Sequence, residues 1–364
     1  MKTGVIGSGH MGDVYLTNMI NRFENLEVIC IASRHLENAK RKADQYGIEA
    51  CTVDEMLQNP KVELVVLLTP VETHYRLIKA ALEAGKHVYS EKTITETPAQ
   101  AHELLSLANR KGLYLGAAPD TFLGPSFQAA KKLVDNGELG DIHSFCISGN
   151  RCYDALLCIS PYLRKPGAGL VHDYGVYYIT QLVSLLGPVS EVCAVAGKPY
   201  QTRTNNWPDS PEFGKSYEMP NESQISAIIR LKNGITGTIQ INADSHPVDQ
   251  SFFAIYGSKG ILYLGSPNDF GGEVKILLPP KNFFRPDPPQ IIPQSSAFND
   301  NARGLGVSEM VSAISERRKN RASAEMASHV LDVLSGMLES SDRRNFVAIT
   351  STMEVPAAFP VTQK

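Results

Sequence analysis

Along the first third of the chain, short apolar runs alternate with stretches whose apolar positions recur every three or four residues. That is the pattern of strands alternating with amphipathic helices. Strands are expected over residues 3–6, 27–32, 64–68, 87–89 and 114–116, and helices over 13–22, 36–46, 73–84 and 98–111. Local chemistry supports the boundaries. Gly47 and Gly85 stand where a helix C-terminus favours a left-handed residue. Thr97-Pro98-Ala99-Gln100 has the pattern of a capping box with Pro at the first helical position. The run 64–68 is apolar without alternation, as a strand is when both faces of a parallel sheet are covered. The alternation predicts a doubly wound α/β domain over residues 1–121.

Beyond residue 121 the period changes. A helix over 126–136 leads into runs of period two. Those at 223–231 and 235–241 are joined through Lys232-Asn233-Gly234, and those at 252–256 and 261–264 through Gly257-Ser258-Lys259-Gly260. Asn-Gly between alternating runs is a strong hairpin signal. Residues 122–364 are therefore expected to hold a largely antiparallel sheet with one polar-leaning face. Segments 197–220 and 279–300 are expected to be long loops. Met326, Val330, Leu334, Met337 and Leu338 fall on one helical face.

The 364 residues are 43% hydrophobic and 20% charged, which excludes a disordered, collagenous or coiled-coil protein. A net charge of −3 gives no basic footprint for nucleic acid or an anionic membrane. No apolar stretch nears the ~18 residues of a membrane helix. The start lacks the ~7–15-residue apolar region of a secretory signal. The expected location is the cytoplasm. Six cysteines are too few for a disulfide scaffold. Cys146, Cys152 and Cys158 lack zinc-type spacing, so no metal is expected.

Gly7-Ser8-Gly9-His10-Met11-Gly12 is G-x-G-x-x-G between an expected strand and an expected helix. The first glycine permits the turn, the second lets the backbone approach a pyrophosphate, and the third lets helix and strand pack closely. Free N–H groups at the helix start favour the phosphates. Gly7, Gly9, His10, Met11 and Gly12 are thus the expected dinucleotide loop. About 20 residues on, an acid would hold the ribose 2′-hydroxyl of NAD. Here Ala32-Ser33-Arg34-His35 carries none. Ser33 and Arg34 can bind a 2′-phosphate, which favours NADP, and stacking of Arg34 on adenine is the alternative. Glu91-Lys92-Thr93 follows the strand 87–89, and ligands bind beyond the carboxyl ends of such strands. Asp173 and Tyr177, four apart, would share a helix face. An acid beside a phenol can bind a polyol and move a proton, although a capping Asp and a core Tyr fit the same spacing.

These motifs, with Thr69-Pro70 followed by His74, occur in the order and spacing of the Gfo/Idh/MocA oxidoreductases. The chain resembles that family over essentially its whole length. Residues 118–124, Ile255-Tyr256-Gly257 with Gly260, and Arg303-Gly304-Leu305-Gly306-Val307 are similar to a sugar-directed branch. The resemblance implies an N-terminal Rossmann domain and a C-terminal α/β domain whose open sheet face joins a dimer or tetramer. It implies NAD(P)-linked oxidation or reduction of sugars and polyols, and oxidation of a secondary hydroxyl of a sugar or glycoside is the expected reaction, with C3 of a hexopyranoside preferred. By the same resemblance Lys92 is the catalytic lysine, and Tyr177 stands at the proton acceptor's position. Asp173 is then the substrate-binding acid, and Thr69, Pro70, His74 and Glu91 line the nicotinamide side. The base is Tyr177, assisted by Lys92, or Lys92 itself. Alternatives are a glycosidase or lyase working through a 3-keto sugar, and a non-catalytic sugar or dinucleotide sensor. Thr93 replaces the family's usual proline, so a cis bond after Lys92 is not assumed. Thr180 replaces an acid often found three residues after the proton acceptor.

Overall fold

In the computed structural model, which describes residues 1–156, 161–165, 168–245, 250–280 and 287–361, strands and helices alternate through the first third of the chain. They are β1 (Lys2–Ile6), α1 (His10–Asn21), β2 (Glu27–Ala32), α2 (Leu36–Tyr46), β3 (Glu49–Cys51), α3 (Val53–Gln58), β4 (Leu64–Leu67), α4 (His74–Glu83), β5 (His87–Ser90), α5 (Pro98–Lys111) and β6 (Leu115–Ala117). The strands form an all-parallel sheet in the order β3-β2-β1-β4-β5-β6. That order reverses between β1 and β4, which opens a crevice at their carboxyl ends. All four residues of β4 are fully buried, as an unalternating apolar strand requires. Gly47 ends α2 in the left-handed conformation at φ 68, and Thr97 and Gln100 form the reciprocal cap of α5. β3 and α3 are too short to show a period, although Thr52 and Glu55 mark the start of α3 with a second capping box. The helix expected from residue 73 begins as a 3-10 turn over Val71–Thr73.

The second unit is built from α6 (Pro125–Asp135), β7 (Ile142–Asn150), α7 (Tyr153–Leu156), α8 (Val176–Leu186), β8 (Val189–Gly197), β9 (Thr202–Thr204), β10 (Ser216–Glu218), β11 (Gln224–Leu231), β12 (Thr236–Asn242), β13 (Gln250–Gly257), β14 (Gly260–Leu264), β15 (Lys275–Leu277) and β16 (Gln290–Ile291). With β17 (Val347–Ala348) they give a nine-stranded sheet ordered β16-β15-β14-β13-β7-β12-β11-β8-β17, while β9 and β10 pair separately. Only β7 and β12 run parallel within the large sheet. Every residue of α8 is buried. Gly149 on β7 makes room for it, because a Cβ there would stand 2.4 Å from the Tyr178 hydroxyl. Segment 197–220 is not one loop, since it holds the β9–β10 hairpin. Within 279–300, residues 281–286 lie outside the described residues, and β16 pairs with β15.

The contacts group Met1–Leu123 with Asn301–Leu331, and Gly124–Asp300 with Asp332–Lys364. Residues 301–331, assigned by sequence to the second domain, thus pack with the first. They carry α9 (Leu305–Glu316) and the start of α10 (Ala324–Arg343). Asp120 explains the return. Its Oδ2 accepts the N–H groups of Gly304 at 3.1 Å and Gly306 at 2.9 Å, so a carboxylate caps the start of α9. Gly304 is left-handed at φ 102. A Cβ on Gly306 would meet the Tyr89 hydroxyl at 2.3 Å. Residues 118–123 and 303–307 therefore meet each other through Asp120, inside the first unit.

Burial pushes the Asp120 carboxyl from 3.8 up to about 6, against the pull of the Gly306 N–H and Arg303. The folded state then holds this proton more tightly than the unfolded chain. Ionised Asp120 costs stability as pH rises through about 6, and that cost vanishes on acidification. Asn keeps an acceptor oxygen without the charge. Between about pH 7 and pH 5 the wild type should gain roughly 1–3 kcal/mol relative to Asp120→Asn in paired denaturation curves. A difference independent of pH would remove the assignment.

Candidate active site

The crevice side of the first unit gathers most of the residues expected at the dinucleotide. β1 ends at Ile6 and α1 starts at His10, so residues 7–9 form the turn. Gly7 has φ +127, and a Cβ on it would lie 2.5 Å from the Leu68 carbonyl oxygen. Gly12 packs under the turn, with a Cβ position 3.1 Å from the Gly7 carbonyl oxygen. Gly9 differs from both, because nothing lies within 4 Å of where its Cβ would stand. The first glycine is thus demanded by the fold itself, and the third sits at a close approach to the turn. The second leaves open space at a helix start that has no side-chain cap. A pyrophosphate fits that cradle. Met11 is half-buried, and the side chain of His10 lies outside the described structure. The Ser8 hydroxyl donates to the Ser33 hydroxyl at 3.1 Å, which ties the end of β2 to the glycine turn. Arg34 follows, exposed.

The ends of β4 and β5 carry the second group. Pro70 is exposed and leads into the 3-10 turn, where Thr73 donates to the Thr69 hydroxyl at 2.7 Å. His74 is fully buried. Its Nδ1 lies 2.8 Å from the Thr93 carbonyl oxygen and its Nε2 2.8 Å from that of Thr69. A neutral imidazole has one N–H, so it donates to one carbonyl at a time, and only the cation would satisfy both. Burial nevertheless pulls the ring's pKa down. His74 thus braces the turn after β5 from inside rather than presenting a nitrogen outward. Glu91 is held from the other side. Its Oε1 accepts the Tyr15 hydroxyl at 2.8 Å and its Oε2 the Lys92 N–H at 3.1 Å. The Lys92–Thr93 peptide is cis, although Thr stands where the family has proline.

In the second unit, Asp173 lies in a π-helical turn over Val171–Gly175 that runs directly into α8, so the helix expected to carry Asp173 and Tyr177 is not uniformly α. Glu222 anchors its start by accepting the Val171 N–H at 3.0 Å. Gly169 permits this approach, because a Cβ there would stand 2.0 Å from the Glu222 carboxylate. Gly167 lies outside the described residues. Asp173 is buried. Its Oδ1 accepts the Tyr162 hydroxyl at 2.7 Å, and Arg151 lies 3.4 Å from Oδ2. The Arg151 guanidinium also covers the Tyr174 ring at 4.4 Å. Tyr177 is 8% exposed, with its ring tilted against that of Tyr174. Burial pushes the neighbouring His172 down to about 4, so it is uncharged near neutral pH.

Sequence reasoning missed Tyr15, Arg151, Tyr162 and Glu222. Tyr15 reads as one more apolar position of α1, and the others stand in segments without periodicity. Their partners are distant in sequence, so no local spacing marks them. Among the described residues, no group of three or more His, Cys, Asp or Glu could hold a metal ion.

Residues 1–118 match the family model described as an oxidoreductase family with an NAD-binding Rossmann fold, and residues 127–263 match the GFO/IDH/MocA C-terminal domain. The chain is 28% identical over 194 residues to scyllo-inositol 2-dehydrogenase (NADP(+)) of Bacillus subtilis, covering 53% of this chain and 54% of that protein. It is 32% identical over 190 residues to dTDP-3,4-didehydro-2,6-dideoxy-alpha-D-glucose 3-reductase of Streptomyces violaceoruber, covering 50% and 54%. The matches thus span about half the length of these curated relatives. A solved levoglucosan dehydrogenase, in complex with NADH and L-sorbose, is 19% identical with a TM-score of 0.84 over 96% of this chain and 99% of that one. At that identity the likeness is one of fold.

The glycine turn yields a paired test. Gly9→Ala should leave the melting temperature unchanged, since space is open around it, and should weaken NAD(P) binding by about tenfold or more if the pyrophosphate occupies that space. Gly7→Ala should lower the melting temperature as well, because its Cβ meets backbone. Calorimetric titration and thermal melts of both variants read the two effects. Unchanged affinity in Gly9→Ala would move the pyrophosphate elsewhere.

Proposed function

The chain belongs to the Gfo/Idh/MocA oxidoreductase family, and from that membership we propose that it oxidises a secondary hydroxyl of a sugar or glycoside, with NAD(P) as hydride acceptor. The observation that carries the reading is the seat of Lys92. It follows the carboxyl end of β5, in the same unit as the glycine turn, on a segment braced by Glu91 and His74. A solvated surface lysine would need no such bracing. C3 of a hexopyranoside is the proposed carbon, in keeping with the relative named as a 3-reductase.

Bound NAD(P) would supply the hydride acceptor. A secondary alcohol gives up hydride readily only as its hydroxyl proton leaves, so the chain must supply a base. In this proposal Tyr177 takes that proton with assistance from Lys92, or Lys92 takes it directly. Asp173, held by Tyr162 and Arg151, is the acid that would bind a neighbouring substrate hydroxyl. Thr69, Pro70 and Glu91 flank the nicotinamide side, and His74 shapes it from beneath. Ser33 and exposed Arg34, with no acid beside them, favour a 2′-phosphate and so NADP. A cytoplasmic location belongs to the same proposal, in keeping with five described cysteines that are free thiols. Among the described residues, no helix is long and apolar enough to cross a membrane.

The large sheet also leaves apolar side chains in the open. Val195, Ile228 and Phe252, on β8, β11 and β13, are 74%, 50% and 41% exposed. Register places Val195 across from Ser226, and Phe252 across from Ser148, on one face. This face is proposed as the contact between copies in a homodimer or tetramer.

Each of these readings has its own test. Lys92→Met should cut turnover by ~10²–10⁴-fold with dinucleotide affinity unchanged, and Tyr177→Phe by ~10²-fold if the phenol is the base. Normal turnover in Lys92→Met would end the assignment, and normal turnover in Tyr177→Phe alone would make Lys92 the base. Sugar consumed without net reduction of NAD(P) would indicate elimination through a keto intermediate instead. Arg34→Ala should weaken NADP by about 10–150-fold while sparing NAD, and equal losses would mean stacking on adenine. Ile228→Glu should shift the particle mass to monomer in light scattering, and an unmoved oligomer would place the interface elsewhere.

A further inference from the structure

Lys92 is only as well placed as its backbone, and the hydrogen bonds around that backbone lead to a residue with no assigned role. Tyr15 lies in α1, three positions beyond the last glycine of the turn. It is fully buried, and its hydroxyl donates to Glu91 Oε1 at 2.8 Å. The other oxygen of Glu91 receives the Lys92 N–H. One carboxylate therefore bridges the helix that seats the pyrophosphate and the turn that carries the lysine. The phenol is kept as a donor, because burial and the nearby Glu91 and Asp120 carboxylates push its pKa above the ordinary value. Tyr89 supplies the contrast. It is equally buried and close to Asp120, yet its hydroxyl has no hydrogen-bond partner.

We propose that Tyr15 is a positioning residue for Lys92, setting the register between the dinucleotide helix and the lysine turn through the Glu91 carboxylate. The proposal rests on the reading of Lys92 as the catalytic lysine. Tyr15 touches neither substrate nor nicotinamide in this scheme. It acts because a carboxylate freed of one donor swings away from the Lys92 N–H, and the turn then samples geometries in which the side chain misses the reacting oxygen. A misplacement of about 1 Å can cost ~10²-fold in rate. The His74 contact to Thr93 holds the far side of the same turn, so loss of Tyr15 should loosen the turn rather than unfold it.

The test compares Tyr15→Phe with Tyr89→Phe in the full-length protein. Each removes one buried phenol hydroxyl and keeps the ring. In Tyr15→Phe, kcat should fall about 10–100-fold, with KM for sugar and Kd for NAD(P) within a factor of about three. Amide exchange at Lys92 should accelerate at least about tenfold, as the N–H loses its fixed acceptor. Tyr89→Phe should match wild type in every readout. Equal behaviour of the two variants, or a Tyr15→Phe loss that only tracks the unfolded fraction, would overturn the proposal. The exchange measurement needs no substrate. If wild type oxidises no sugar, the functional reading fails, while faster Lys92 exchange confined to Tyr15→Phe still supports the clamp and unchanged exchange refutes it.

Discussion

Each residue of the dinucleotide half sits where it does because β4 is apolar on both faces. A strand of that kind must lie inside a sheet covered by helices on both sides, which here is parallel. Parallel strands joined through helices put all their carboxyl ends on one edge. The reversal of order between β1 and β4 then leaves that edge uncovered at one place. The glycine turn, Ser33, Thr69 and the Glu91-Lys92 turn come from four different strands, and they share a crevice because the sheet leaves them no other edge. Gly7 shows how tight the arrangement is, since its missing Cβ is what lets the turn pass the backbone at Leu68.

Polar groups buried beneath that edge are the second constraint. Glu91, Asp120, Tyr15, Tyr89 and His74 are mostly or wholly shut off from water, where an unpaired polar group is costly. The fold meets the cost by assigning each acid to backbone N–H groups or to a phenol. Besides the unpartnered Tyr89 hydroxyl, residual strain is visible in the raised Asp120 carboxyl and in the imidazole of His74 between two carbonyls. The imidazole braces the turn after β5, and the carboxyl joins the returning segment 301–331 to the sheet. The stability of these turns is therefore sensitive to pH in a way that an apolar core is not.

The second unit solves a similar problem with different parts. Asp173 is ionisable and buried at the start of a long apolar helix. Glu222 anchors the helix start, the π turn re-aims the first residues, and Arg151 and Tyr162 hold the carboxylate. A π turn changes which side chains share a face, so the spacing of Asp173 and Tyr177 does not by itself give their relative direction.

Periodicity was enough to read the parallel domain, the glycine turn and the antiparallel hairpins, because those features depend on residues near one another in sequence. Gly47, the Thr97–Gln100 box and Asn233-Gly234 act within a few residues, so their chemistry can be read on the line of the sequence. What escaped was set by contacts across long separations. Tyr15 reaches Glu91 across 76 positions, Arg151 reaches Asp173 across 22, and Asp120 reaches Gly304 across 184. No local period records such pairs, because closing each loop depends on the packing of everything between. The sequence by itself determined the long strands and helices of the first domain, the two antiparallel hairpins and where the chemically capable residues stand. Tertiary structure alone decided that residues 301–331 return to the first sheet, that Thr93 follows a cis bond, and which buried groups hold Lys92 and Asp173 in place.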